Sequence, residues 1–276
     1  MRRPYVLPLL LAGLGSTLAA HDLFLKLADF TVRSNAAVTV TVLNGTFTVS
    51  ENSIARARVA DLSLVGPAGR ERLDTAQLRE VGTRTLIRTR TGDAGTYVMG
   101  LSIRPNQISL SGTEFNGYLK AEGLNRVLEA RRQAGELERG VTERYAKHVK
   151  VIFQAGEARS AAFTTVLGYP VEIVPLRNPY ELAPGDTLRL RLLANGAPVP
   201  AGVEVIAGGR TVAGARHAEQ HLVTDASGLV AVRVGAAGTW YVKFIAMTRA
   251  GEPGLDYNSE WATLTFAVLP ASRKAK

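Results

Sequence analysis

The sequence predicts a mainly β protein: two β-sandwich domains, with a short helical insertion in the first. Three observations predict it. Apolar and polar residues alternate with period two through much of the chain, as in half-buried strands. Turn signals built on Gly, Pro, Asn and Asp recur between those runs. Residues 111 to 148 alone replace alternation with helix formers at roughly helical spacing.

The elements follow in order. "HDLFLKL" from His21 alternates at once and opens a strand. "NAAVTVTVLNGTF" alternates and ends at Asn44-Gly45, a turn signal. "VADLSLVGPAGRE" is a strand running into a Gly-Pro turn, and "TRTLIRTR" alternates again. In "TGDAGTYVMGLSIRP" a turn leads to a strand with Tyr97, Met99 and Leu101 on one face. In the insertion, Phe115, Leu119, Leu124, Val127 and Leu128 form an apolar stripe. Ser111 and Glu114 fit a capping box, and Gly123 and Gly135 divide the segment into short helices. "HVKVIFQAG" returns to strand. A boundary falls at residues 156 to 165, which bounds the first domain at 21–156 and the second at about 166–270. The second reads as strands "PVEIVPL", "TLRLRLLANGAPVPAGVEVIAGG" (two, with a Gly- and Pro-rich turn), a hairpin around "DASG", "AGTWYVKFIAM" and "EWATLTFAVL". Several short strands with regular turns indicate an immunoglobulin-like sandwich. Trp240, Tyr241 and Trp261 are expected to fill its core.

The first twenty residues read as a cleaved secretory signal: Arg2 and Arg3, then the apolar "PYVLPLLLAGLG", then the small residues of "STLAA". The apolar run is shorter than the roughly 20 residues a membrane span needs. The mature chain is expected to be exported, with no membrane insertion after cleavage. Net charge is +9, and loss of Arg2 and Arg3 lowers it by two to +7. The cations are scattered, as in "RARV", "RTLIRTR" and "RLRL", like the wet faces of strands. No basic run carries interleaved aromatics, which argues against nucleic acid. There is no cysteine, so disulfides and thiolate chemistry are excluded. No G-x-S-x-G elbow, H-E-x-x-H or phosphate-binding glycine loop is present, so no enzyme activity is expected.

The chemistry therefore rests on four histidines: His21, His148, His217 and His221. Without thiolate, nickel, cobalt or copper prefers imidazole and amine nitrogen. Cleavage after Ala20 would make His21 the first residue, its α-amine and ring Nδ1 chelating together; cleavage after Ala19 leaves a longer chelate. His148 ranks second, His217 and His221 below it as an i, i+4 pair in an exposed hairpin or loop. Asp22, Glu51, Glu143, Asp256 and Glu260 are available carboxylates; each reads first as a turn or rim residue, with Glu51 and Glu260 weaker candidate ligands alongside His217 and His221.

Several segments carry a family resemblance: "AHDLFLKL", "NGTFTVSENSIARARVADLSLVGPAGR", "ERYAKHVKVIFQAG", "LGYPVEIVPLRNPYELAPGDTLRLRLLANGAPVPAGVEV", "TDASGLVAVRV" and "DYNSEWATLTF". Through them the chain, from residue 20 to about 268, resembles the DUF4198 proteins. The C-terminal half also looks like carboxypeptidase-regulatory β-domains and collagen-adhesin B repeats, a likeness that speaks to fold only. The family resemblance implies a periplasmic transition-metal-binding protein, sometimes described as a nickel or cobalt uptake component, working beside a membrane metal transporter. Its suspected ligand is His21, and His148 also falls in a matching segment. Relatives often carry a histidine in the segment matching "KFIAM", where this chain has Ala246. The alternatives are a non-enzymatic envelope module that recognises protein or glycan, and a copper oxidase built on an N-terminal histidine brace with His148.

Overall fold

The computed structural model describes residues 21–270. The expected signal peptide at 1–20 and the basic "SRKAK" tail lie outside the described residues. In the first half the chain forms strands β1 (Asp22–Lys26), β2 (Thr31–Val32), β3 (Ala37–Gly45), β4 (Ser50–Asn52), β5 (Val59–Gly66), β6 (Gly69–Arg72), β7 (Leu78–Val81), β8 (Arg84–Arg90), β9 (Gly95–Leu110) and β10 (Val141–Ala155). Helices α1 (Gly112–Ala121) and α2 (Asn125–Gln133) stand between β9 and β10. The second half supplies β11 (Val171–Pro175), β12 (Thr187–Ala194), β13 (Ala197–Pro198), β14 (Glu204–Thr211), β15 (Gln220–Val223), β16 (Leu229–Arg233), β17 (Gly238–Arg249) and β18 (Tyr257–Val268). The protein is mainly β and of the β-sandwich kind, as the alternation predicts.

Three sheets carry these strands. A central sheet runs β15-β14-β17-β18-β10-β9-β5-β6, with β2 beside β10. An N-terminal sheet runs β1-β3-β8-β7 with β4 beside β3, and a C-terminal sheet joins β11, β12, β13 and β16. Side chains alternate across β10. The Lys147 ammonium donates to the His21 carbonyl beside β1, whereas Lys150 pairs with Glu172 of β11 at 2.9 Å. The N-terminal and C-terminal sheets therefore cover opposite faces of the central sheet.

The two sandwiches expected on either side of residues 156 to 165 share this central sheet. β18 returns to lie parallel to β10, in register from Glu143↔Tyr257 to Val151↔Thr265. Hydrogen bonds thus cross the expected boundary, and one buried apolar cluster extends from Leu23 to Val268. Parallel pairing of this kind needs a long connection, here the C-terminal sheet together with β14, β15 and β17 of the central one, and no local pattern in the sequence announces it.

Three further expectations change. The helical insertion ends near residue 140, not 148, because "VTERYAKH" already belongs to β10 and pairs with β9. The residues around "DASG" are not a paired hairpin: β15 bonds to β14 in the central sheet and β16 to β12 in the C-terminal sheet. The turn is a crossing between layers. Trp261 does not fill the second sandwich either. It faces the insertion and stacks on Tyr118 at 5.7 Å, within a satellite core of Phe115, Leu119, Leu124 and Tyr257. Trp240 does enter the main core, at 2% exposure.

The start of the insertion is built as predicted. The Ser111 hydroxyl and Glu114 carboxylate form the capping box of α1, an arrangement worth about 1 kcal/mol. The helix ends in a Schellman turn: Leu124 N–H reaches Leu119 C=O at 2.7 Å and Gly123 N–H reaches Lys120 C=O. Gly123 has φ of 74°, the left-handed conformation that favours glycine. This turn fixes Glu122, the last residue before it.

Candidate functional site

His21 and the first residues of β1 open onto a cavity of about 590 Å³. Its walls come from β1, the β3–β4 turn, the end of α1, β14, the loop before β15, and β17. β1 is held antiparallel to β3, with Asp22 opposite Gly45. β4 returns along β3 after an irregular turn at Asn44 and Gly45. The result sets Glu51 beside His21, with the His21 Nδ1 3.4 Å from the Glu51 Oε2. Both side chains stay accessible, at 25% and 47% exposure.

Below this pair lies a buried ionic cluster. The Lys243 ammonium bridges Asp22 Oδ2 at 2.5 Å and Glu122 Oε2 at 2.6 Å. Burial disfavours the Lys243 charge, but the two carboxylates outweigh it and hold the group above the usual lysine range. Burial and then the Asp22 charge push the Glu122 carboxyl up to about 7, against the pull of Lys243. Burial lowers Lys147 to about 8, with Asp22 and Glu122 opposing it. The cluster locks β1, α1 and β17 together beneath His21.

One apolar wall is an aromatic trio. Phe24, Phe47 and Tyr241 meet with centroids 4.9–5.3 Å apart. Burial, followed by the Glu219 carboxylate, raises the Tyr241 phenol, which donates to Glu219 at 3.2 Å. On the opposite side His217 lies flat on Trp240, at 3.8 Å and 13°. Its Nε2 is buried and has no hydrogen-bond partner among the described residues. Burial lowers its pKa, which favours the neutral, ligating form.

The sequence-predicted residues thus divide. His21, Glu51 and His217 line one cavity. His148 and Glu260 do not join them, because His148 points to the face of β10 opposite Lys147. His221 is not beside His217: its side chain is 63% exposed and pairs with Glu219 at 3.0 Å. The i, i+4 spacing fails because His217 sits in the loop before β15 and His221 within it. Among the remaining carboxylates, Asp22 enters the ionic cluster and Glu143 is buried against Tyr118 and Ser259. Asp256 accepts from the Thr142 N–H at 2.8 Å. Among the described residues no three of His, Asp and Glu are grouped to hold a metal ion.

Residues 18–248 match the family described as "Domain of unknown function (DUF4198)". The chain belongs to the DUF4198 family. No curated protein matches the sequence. Among solved structures, trypsin-activated alpha-2-macroglobulin from Escherichia coli aligns at 11% identity and a TM-score of 0.23, over 92% of this chain and 16% of that one. The D0-D1 domain of intimin aligns at 11% identity and a TM-score of 0.21, over 89% of this chain and 97% of that one. Such scores leave fold and function to be read from the DUF4198 chain itself.

In this DUF4198 protein the second histidine–glutamate pair is closed. His148 Nε2 lies 2.7 Å from Glu260 Oε2, and its Nδ1 lies 2.9 Å from Ser102 Oγ. Both ring nitrogens are engaged and the ring is buried beside Tyr169. Ala246 stands directly across from Glu260 in the β17–β18 ladder, so its side chain shares the face of His148. The Ala246 position is therefore beside this pair, not in the cavity.

Sequence reasoning missed Lys243, Lys147, Glu122 and Tyr241. A signal existed for the lysines. "WYVKFIAM" and "AKHVKVIF" set a lysine inside an apolar strand run, where burial demands a partner. Nothing local marked Glu122, whose partner Lys243 lies in β17.

Proposed function

We propose that this protein is a periplasmic carrier of transition-metal ions, capturing nickel, cobalt or copper at the cavity and passing it to a membrane transport system. The observation that carries the reading is the His21–Glu51 pair, accessible at the mouth of the cavity and anchored from below by Lys147 and the Lys243 cluster. The two donors that stand together fit a borderline metal: the imidazole of His21 and the Glu51 carboxylate. Removal of residues 1–20 would add the α-amine, giving His21 two nitrogen donors. The copper-oxidase alternative required His148 as the second histidine of a brace, and the closed His148–Glu260 pair withdraws that support.

The test is isothermal titration of Ni(II), Co(II) and Cu(II) into a chain that begins at His21, beside the same chain with its α-amine acetylated. Acetylation leaves the imidazole and Glu51 intact but removes the amine from the chelate. The expected result is one equivalent bound, weakened at least about tenfold by acetylation, a loss of about 1.4 kcal/mol. Binding should also weaken as pH falls through about 6.5, because the ligating nitrogens must be unprotonated. Equal affinity of both chains, or affinity indifferent to pH between 5 and 8 (roughly the histidine range), would overturn the reading.

A further inference from the structure

The cavity is much larger than an ion requires. A metal with six waters occupies about 200 Å³, at about 30 Å³ per water. The cavity holds about 590 Å³, inside the range of about 300–1,000 Å³ typical of small-molecule sites. Its charge is also sorted. Among the described residues the carboxylates are engaged: Asp22 and Glu122 by Lys243, Glu219 by His221 and Tyr241, and Glu51 by His21. The cations on the facing wall are not. Arg210 and Arg216 form no ion pair with a described carboxylate; the Arg210 guanidinium donates to Gly214 C=O at 3.0 Å, which leaves most of its N–H groups unspent. An isolated β-bridge sets these two arginines opposite one another, so they flank the cavity together. Lys26 adds a third positive charge near Arg210, and its own pKa is lowered by burial and then by that arginine.

We propose that the cavity takes its metal as a complex with a small carboxylate-bearing chelator, such as a hydroxy-acid or amino-acid complex, and not as the bare ion. This rests on the metal-carrier reading above. His21 and Glu51 meet the metal side of the complex. Arg210 and Arg216 meet the carboxylates the metal leaves free, since the guanidinium fork matches carboxylate geometry with two parallel hydrogen bonds. The apolar wall of Phe24, Phe47 and Tyr241 supplies a surface for the chelator's carbon skeleton.

The experiment titrates the chain beginning at His21 with four probes: Ni(II) alone, Ni(II)–citrate, Ni(II)–triethylenetetramine, and metal-free citrate. Each is repeated on the double variant Arg210→Gln/Arg216→Gln. The expected result is that Ni(II)–citrate binds at least about tenfold tighter than the cationic amine complex. The double variant should lose that preference, with a loss for the citrate complex greater than any loss for Ni(II) alone. If the two complexes bind alike, or the preference survives in the variant, while Ni(II) alone still binds, the chelate proposal fails and the carrier reading stands. If metal-free citrate binds as tightly as its nickel complex, the ligand is the acid and the chelate proposal fails. If no nickel-containing probe binds, both fail together.

Discussion

His21 and His148 each face a glutamate, yet the two pairs are built for opposite ends. The His21–Glu51 pair is loose, at 3.4 Å, with both side chains reachable from the cavity. The His148–Glu260 pair is tight, at 2.7 Å, and Ser102 occupies the other ring nitrogen. A metal needs a nitrogen lone pair that nothing else has claimed and a path to reach it. The first pair keeps both, whereas the second has spent its hydrogen-bonding capacity on joining β9, β10 and β18. The residue types are the same; what differs is the side of the central sheet on which each pair lies. Four experiments can break or sharpen this contrast, and the largest effect is expected under the open pair.

The open pair stands on the Lys243 cluster. Lys243→Met leaves Asp22 and Glu122 buried against each other without their shared cation. Removing one partner of a buried ionic group costs about 3–5 kcal/mol, read as a lowered urea midpoint. A loss below about 1 kcal/mol, the scale of exposed pairs, would mean the cluster does not support β1, and the anchoring of His21 would need another account.

The closed pair can be opened by one substitution. Ala246→His places an imidazole across the ladder from Glu260, on the face of His148. With Ser102 still bonded to Nδ1, His148 would keep an oriented ring, as metal-bound histidines do. The expected outcome is a second equivalent of Ni(II), bound at least about tenfold tighter than any residual binding there in the parent, about 1.4 kcal/mol. A variant that still binds a single equivalent would show that burial, not the missing histidine, closes this region.

The pH dependence separates the regions again. Glu122 in the unfolded chain loses its proton near 4.5, but in the folded protein only near 7. Between those values the folded state binds more protons than the unfolded state, so stability falls as pH rises through the window. Glu122→Gln should flatten that slope in thermal melts recorded from pH 4.5 to 7, while Glu260→Gln should leave it in place. An unchanged slope in Glu122→Gln would move the titration to another group of the cluster.

Much of this contrast was legible in the chain, and its limits are physical. Period-two alternation placed β3 and β8, because a strand with one wet face writes its geometry into neighbouring residues. The capping box and the glycines at 123 and 135 placed the helices for the same local reason. His21 and Glu51 are legible as candidates from residue type and position alone. What stayed hidden depends on pairing between distant segments. The parallel β10–β18 register decides which face His148 takes, and it joins residues more than a hundred positions apart. Glu122 reaches Lys243 only after α1 folds over β17. The crossing at "DASG" reads as a hairpin because a turn looks the same whether the strands it joins bond to each other or to different sheets.

The smallest effect is expected at the pair that spacing alone proposed. His217 and His221 are four residues apart, but His217 is packed on Trp240 while His221 stands in solvent with Glu219. His221→Ala removes an exposed ion pair and should change stability by no more than about 0.5 kcal/mol, with metal affinity unchanged. His217→Ala removes the ring packed on Trp240 from among the residues lining the cavity and should weaken nickel binding several-fold, about 1 kcal/mol. Paired titrations of the two variants decide the matter. Equal losses would show that the two histidines act together as the i, i+4 chelate, and the separation of loop and strand described here would not hold in solution. A loss confined to His217→Ala places the ligand where the cavity is, and leaves His221 an ordinary residue of an edge strand.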